Sequence, residues 1–167
     1  MSFIALLIFP ILMAYSAMSD LLTMRLPNRL TVTIFLCFLA LALAVSMPLA
    51  MLGENISCGL AMLLVGFFMF SRGWIGGGDA KLLAAIAAWL GWSALLEFVL
   101  LTAMLGGAMS LFVMQWRRWP LPGFMAGAPW IVRLHDPKEG VPYGIALAFG
   151  ALHVYPHSPI ALMILQL

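Results

Sequence analysis

The chain has 167 residues, of which 65% are hydrophobic and 8% charged, with a mean hydropathy of +1.10 and a net charge of +2. A soluble domain of this length needs a polar shell that such a composition cannot supply, which makes lipid the main solvent. Disorder, a disulfide scaffold and an ordinary cytosolic enzyme are disfavoured, and eight basic residues scattered between apolar runs form no nucleic-acid surface.

A membrane-crossing helix needs about 20 residues. The first apolar run, 3–19, has no basic residue before it and Arg25 and Arg29 after it, so it reads as an uncleaved helix entering from outside rather than a signal peptide. Runs 30–52 and 56–71 follow as the second and third helices. Cys37 and Cys58 lie inside them with no CxxC spacing and no neighbouring His, as packing residues rather than a redox or zinc motif. Run 82–116 would be roughly 50 Å long as one straight helix, against a hydrocarbon core of about 30 Å. If it crosses once, Arg117, Arg118, Arg133 and Lys138 land opposite Arg25, Arg29, Arg72 and Lys81; if it crosses twice, all eight share the cytoplasmic side. A hairpin turning near Gly91-Trp92-Ser93, with Glu97 at the far interface, satisfies that rule and leaves a short fourth helix. Run 141–167 is the last.

The expected fold is an all-α integral membrane protein: one domain over 1–167, a six-helix transmembrane bundle with a short fourth helix and both termini outside. Cytoplasmic loops fall at 20–29, 72–81 and 117–140, and little but 53–55, the hairpin turn and the tail lies outside. Small residues such as Gly59, Gly66, Ala84, Ala88, Gly106 and Gly107 let helix backbones approach closely within the chain, and the oligomeric state stays open. Loop 117–140, with Arg117, Arg118, Trp119 and Trp130, suits an interfacial segment against headgroups.

Ionisable groups at membrane depth are costly, so the position of each of the six acidic residues matters. Glu54, Asp136 and Glu139 fall in expected loops, and Glu97 is read as interfacial. Asp20 ends the first helix, where a carboxylate faces the wrong end of the macrodipole; Arg25 and Arg29 would offset this as plain interfacial partners. Asp79 precedes the fourth helix, where Asp is a favoured N-cap. An N-cap does not require the three glycines before it, Gly76, Gly77 and Gly78, whose backbone is free to take positive φ and to lie close to another chain. By topology the two aspartates share one face. Two carboxylates brought together share a proton, so one can activate water while the other polarises a carbonyl, with Asp79 as the better candidate base. The histidines His135, His153 and His157 have no ligand spacing.

Three blocks resemble the type IV prepilin peptidases, membrane aspartic proteases of the GxGD class. Asp20 followed by Arg25 and Pro27-Asn28 is similar to the family's D-x(n)-R-x-P-N segment. Gly76-Gly77-Gly78-Asp79-Ala80-Lys81-Leu82 matches G-x-G-D-x-K-L, and Val141-Pro142-Tyr143-Gly144-Ile145-Ala146-Leu147-Ala148 resembles the family's last helix. The resemblance implies Asp20 and Asp79 as the catalytic pair, Gly76 and Gly78 as motif glycines, and Lys81 as a motif residue of open role. It implies an active site at the cytoplasmic edge of the bacterial inner membrane, no metal or organic cofactor, and a prepilin or pseudopilin substrate that loses a short basic leader just before its apolar helix. Long bifunctional members carry a cytoplasmic insertion with paired CxxC motifs after the first helix. This chain has neither, so it resembles the short peptidases of tight-adherence (Flp-type) pilus systems, and N-methylation is left open.

Other classes fit less well. Presenilin-like proteases place their first aspartate in a Tyr-Asp pair, whereas Ser19 precedes Asp20 here. A small proton-coupled transporter would use both aspartates as a relay, yet no polar set lies at mid-membrane. A structural membrane subunit would need Asp79 only as a helix cap.

Overall fold

The computed structural model describes residues 2–125 and 127–166, and among these it is built of helices and the loops between them. In chain order they are α1 Ser2–Thr23, α2 Asn28–Ala44, α3 Leu49–Ser71, α4 Gly77–Trp116, the short α5 Pro129–His135, α6 Tyr143–Val154 and α7 Pro159–Leu165. Three of them, α1, α3 and α4, are long and apolar enough to cross a membrane; α6 with α7 makes a fourth such span if the bent pair is taken together, and α2 is apolar but shorter.

The expected second run, 30–52, is divided. Ser46 takes a positive φ of 52°, the Met47 N–H donates to the Ala42 carbonyl and the Ser46 N–H to the Leu43 carbonyl. This 6→1 and 5→2 pairing closes α2, and Pro48 follows as the N-cap of α3. The link between α2 and α3 is therefore 45–48 rather than 53–55, and Glu54 is an exposed helical residue, not a loop residue. The last run is also broken: the axis bends by 50° before Pro159, and the Ser158 hydroxyl accepts from the Ala161 N–H to cap α7.

The fourth helix reverses where the sequence marks it. Gly91 has φ 69° and ψ 177°, a region open essentially to glycine alone. Asp79 and Leu83 line one cavity with Val99, Thr102 and Ala103, although a straight helix would hold Leu83 and Val99 about 24 Å apart. The two arms, 77–90 and 92–116, therefore lie side by side. Ending the first arm at Gly91 removes helical partners from its last carbonyls, and buried Asn55 of α3 repairs one by donating Nδ2 to the Ala88 carbonyl at 2.9 Å.

Packing is centred on Trp89, which is fully buried. Its ring lies 4.8 Å from Phe9, 5.9 Å from Phe38 and 6.1 Å from Tyr155, and its indole N–H donates to the Ile34 carbonyl. One side chain thereby joins α1, α2 and α4 to the end of α6. Helix α3 meets the first arm of α4 through small residues: a Cβ at Gly66 or Gly59 would stand 3.0 Å from the Cβ of Ala80 or Ala88. Large apolar side chains such as Leu43, Leu64, Phe67, Met104 and Leu111 are exposed, as a lipid-facing surface requires. Segment 117–140 folds back on itself, with the Arg117 guanidinium donating to the carbonyls of Leu134 and Gly140 at 2.8 Å each.

Candidate active site

Asp20 lies in the last turn of α1, one turn deeper than a terminal residue, and is 5% exposed. Among the described residues its partner is not Arg25 or Arg29 but the backbone of another helix. The Gly144 N–H donates to Asp20 Oδ2 at 2.7 Å. Gly144 is the second residue of α6, just after Pro142, so its N–H is one of those a helix N-terminus leaves unpaired, and it carries the positive end of that helix's dipole. The unfavourable end of α1 is thus answered by the favourable end of α6. Any larger residue here would crowd the carboxylate: a Cβ on Gly144 would stand 2.8 Å from Asp20 Oδ2 and 3.1 Å from Leu26 Cδ1.

Asp79 is not the N-cap of α4. That position is Gly76, with φ −71° and ψ 149°, and Asp79 is the third helical residue. A carboxylate there turns back toward the N-cap backbone, and a Cβ on Gly76 would lie 2.9 Å from Asp79 Oδ2. The glycine run does not use positive φ either, since among the described glycines that region holds only Gly73 and Gly91. Its use is close approach. A Cβ on Gly78 would meet the Leu26 Cβ at 2.9 Å and the Leu26 carbonyl at 3.2 Å, and one on Gly77 would meet the Phe70 ring at 3.3 Å.

The loop after α1 and the loop before α4 therefore touch, and a cavity of about 470 Å³ opens between them. Its walls are Asp20 with residues 24–28 on one side and 76–79 on the other, so Arg25, Pro27, Asn28, Gly76, Gly77, Gly78 and Asp79 all line the space that holds both carboxylates. Lys81 stands outside it and closes the arrangement: its Nζ donates to Asn28 Oδ1 at 2.7 Å, joining the start of α4 to the start of α2. The Arg25 carbonyl is held in turn by the hydroxyls of Ser19 and Thr23. Glu97 is exposed and, like His135, His153 and His157, lines none of this cavity. Among the described residues no group of three or more His, Cys, Asp or Glu is placed to hold a metal ion. Two carboxylates facing one water-accessible space, each beside a helix N-terminus, can take a proton from water and give one to a carbonyl.

The sequence reasoning did not single out Gly144 or Leu26 as site residues. The signal for Gly144 is its place after Val-Pro-Tyr at a helix start, where a glycine leaves an unpaired N–H open to another chain. Leu26 carries no chemical signal, being an apolar residue among apolar residues.

Residues 7–111 match the model of the type IV leader peptidase family. The chain is 39% identical over 111 residues to a prepilin leader peptidase/N-methyltransferase of Burkholderia pseudomallei, covering 64% of this chain and 35% of that one. It is 34% identical over 117 residues to a protein of the same description from Pectobacterium carotovorum, covering 67% and 42%, and 33% identical over 132 residues to another from Dickeya chrysanthemi, covering 76% and 46%. The chain thus aligns with less than half the length of these relatives. No solved structure matches it.

Proposed function

Because the chain belongs to the type IV leader peptidase family, a family of aspartic-type proteases, we propose that it is a prepilin leader peptidase whose catalytic pair is Asp20 and Asp79. The observation that carries the reading is the cavity both carboxylates line, built from the first-loop and glycine-loop segments. Its substrates are type IV prepilins or pseudopilins of the Flp-like kind, cut between a short basic leader and an apolar helix. Counting α2 and both arms of α4 as crossings gives six. With the basic residues on the cytoplasmic side, both termini lie outside and the cavity opens at the cytoplasmic face of the inner membrane.

In this reaction the ionised carboxylate takes a proton from a water molecule and the resulting hydroxide attacks the scissile carbonyl carbon. The protonated partner gives its proton to the carbonyl oxygen, forming a neutral diol. The C–N bond then breaks as a proton passes to the leaving nitrogen, which becomes the new N-terminus of the mature chain. Both carboxylates lie at a positive helix end, Asp79 in the first turn of α4 and Asp20 against the Gly144 N–H at the start of α6, so the pair shares the acid and base roles as a unit. No metal or organic cofactor takes part.

The reading is tested by co-expressing the chain with an Flp-type prepilin and measuring the intact mass and N-terminal sequence of the product. Loss of the basic leader at its junction with the apolar helix is expected. A leader left intact across several prepilins, with the chain inserted in the membrane, would contradict it.

A further inference from the structure

Asp79 belongs to the first arm of α4, whereas Asp20 is held at 2.7 Å by the Gly144 N–H at the start of α6. The separation of the two carboxylates therefore depends on how α6 sits on α4. It sits on the second arm, 92–116, by two reciprocal fits. Tyr143, the first residue of α6, lays its ring over Gly106, where any Cβ would overlap that ring. In the opposite sense Thr102 Oγ1 enters the space beside Gly150, where a Cβ would overlap the hydroxyl. Thr102 and Gly106 are four residues apart on α4, and Tyr143 and Gly150 are seven apart on α6, so each pair lies along one face of its helix. Each helix thus puts one side chain into a notch of the other. Sliding α6 by one residue, about 1.5 Å, would drive a side chain against backbone at both notches.

We propose that Tyr143 is a positioning residue for the catalytic pair: seated on Gly106, it fixes the start of α6, and with it the Gly144 N–H that holds Asp20 at its working distance from Asp79. The proposal rests on the peptidase reading and adds to it a residue that acts through another. Tyr143 and Gly144 are consecutive, so a displaced ring passes its shift to the next peptide N–H with no flexible side chain between them to absorb it. Helix α4 then serves both halves of the pair. Its first arm carries Asp79, and its second, returned by the turn at Gly91, places Asp20 through α6. The ring carries the role rather than the hydroxyl, whose contact with the Thr102 carbonyl is 3.5 Å long, beyond the usual range for an O–H donor.

The test measures kcat, KM and thermal unfolding on purified variants cleaving an Flp-type prepilin. Gly106→Ala expels the ring and should lower kcat roughly 10- to 100-fold with KM within about threefold of wild type, because a misplacement of about 1 Å costs a catalytic site about 100-fold. Tyr143→Leu empties the notch and should lose kcat in the same range, while Tyr143→Phe, which keeps the ring, should restore most of that loss. In the double variant Gly106→Ala/Tyr143→Leu the smaller side chain leaves room for the methyl, so its kcat should equal or exceed that of Gly106→Ala alone, whereas independent losses would multiply. Gly59→Ala is the control: its Cβ would crowd Ala88 at 3.0 Å, on the other side of α4 and away from the aspartates, and it should lower the unfolding temperature while the folded protein keeps its kcat. A Gly106→Ala variant with kcat near wild type, or with a loss no greater than that of Gly59→Ala, overturns the proposal and leaves the peptidase reading standing. If Gly106→Ala does not insert, equal kcat for Tyr143→Leu and Tyr143→Phe overturns it instead. Wild type that leaves several prepilins uncut overturns both readings.

Discussion

Replacing Gly144 by Ala tests the link between α6 and the candidate dyad. The added methyl would stand 2.8 Å from Asp20 Oδ2, where ordinary contact begins at 3.4 Å, and α6 is held at that point by the Tyr143 ring packed against Gly106. The carboxylate is the part free to move, because it opens onto the cavity. Relief of the overlap shifts it by about 0.6 Å and stretches the 2.7 Å bond from the Gly144 N–H; a misplacement of about 1 Å costs a catalytic site about 100-fold, so kcat should fall roughly 10- to 100-fold. Stability should change little. The lost hydrogen bond costs about 1 kcal/mol, and Ala is favoured over Gly inside a helix by a similar amount. The assay is leader cleavage by purified wild type and Gly144→Ala in detergent, with KM, kcat and thermal unfolding measured on the same samples. A variant within twofold of wild type in kcat would refute the argument, and so would one whose activity loss is matched by a collapse in unfolding temperature.

Four further substitutions follow from the geometry. Gly91→Ala forces a side chain into the glycine-only region and places its Cβ 2.7 Å from Asn55 Oδ1, so thermal or denaturant unfolding should show a loss of about 2–4 kcal/mol. Asn55→Ala leaves the Ala88 carbonyl unpaired in the core and should cost about 1–3 kcal/mol in the same assay, with residual activity in the folded fraction. Lys81→Met and Asn28→Ala each remove one half of a 2.7 Å contact, and the double variant should cleave no more slowly than the worse single one; full additivity of the two losses would show that the contact does not act as a unit.

Much of this architecture is legible in the sequence because lipid leaves few options. Apolar runs must become helices, and a run well beyond the bilayer thickness must turn, which a single Gly91 in a glycine-only conformation accomplishes at the residue the pattern marks. The turn at 45–48 is less visible. Ser46 takes positive φ in place of the usual glycine, and the hydropathy trace continues through Met47-Pro48 without a break. The two aspartates stand out because carboxylates are rare in such a chain, and the glycine loop because three glycines exceed what a cap needs. Of the two uses such a glycine run offers, the loop employs close approach, to Leu26 and Phe70, and not positive φ. The partner of Asp20 was hidden for a different reason. A backbone N–H has no residue signature, and only the packing of α6 against α1 shows that the one at Gly144 points at a carboxylate.

The most direct test of the two-aspartate reading is leader cleavage by Asp20→Asn and Asp79→Asn beside wild type, with membrane insertion and unfolding temperature measured for each. Asn keeps the size and hydrogen-bonding reach of Asp and removes the proton that the chemistry exchanges. Wild type should release the leader, and each variant should fall by at least about 1,000-fold while inserting and unfolding like wild type, as expected when either half of a paired acid and base is lost. Cleavage by either variant at a rate near that of wild type would show that its aspartate serves the architecture and not the reaction.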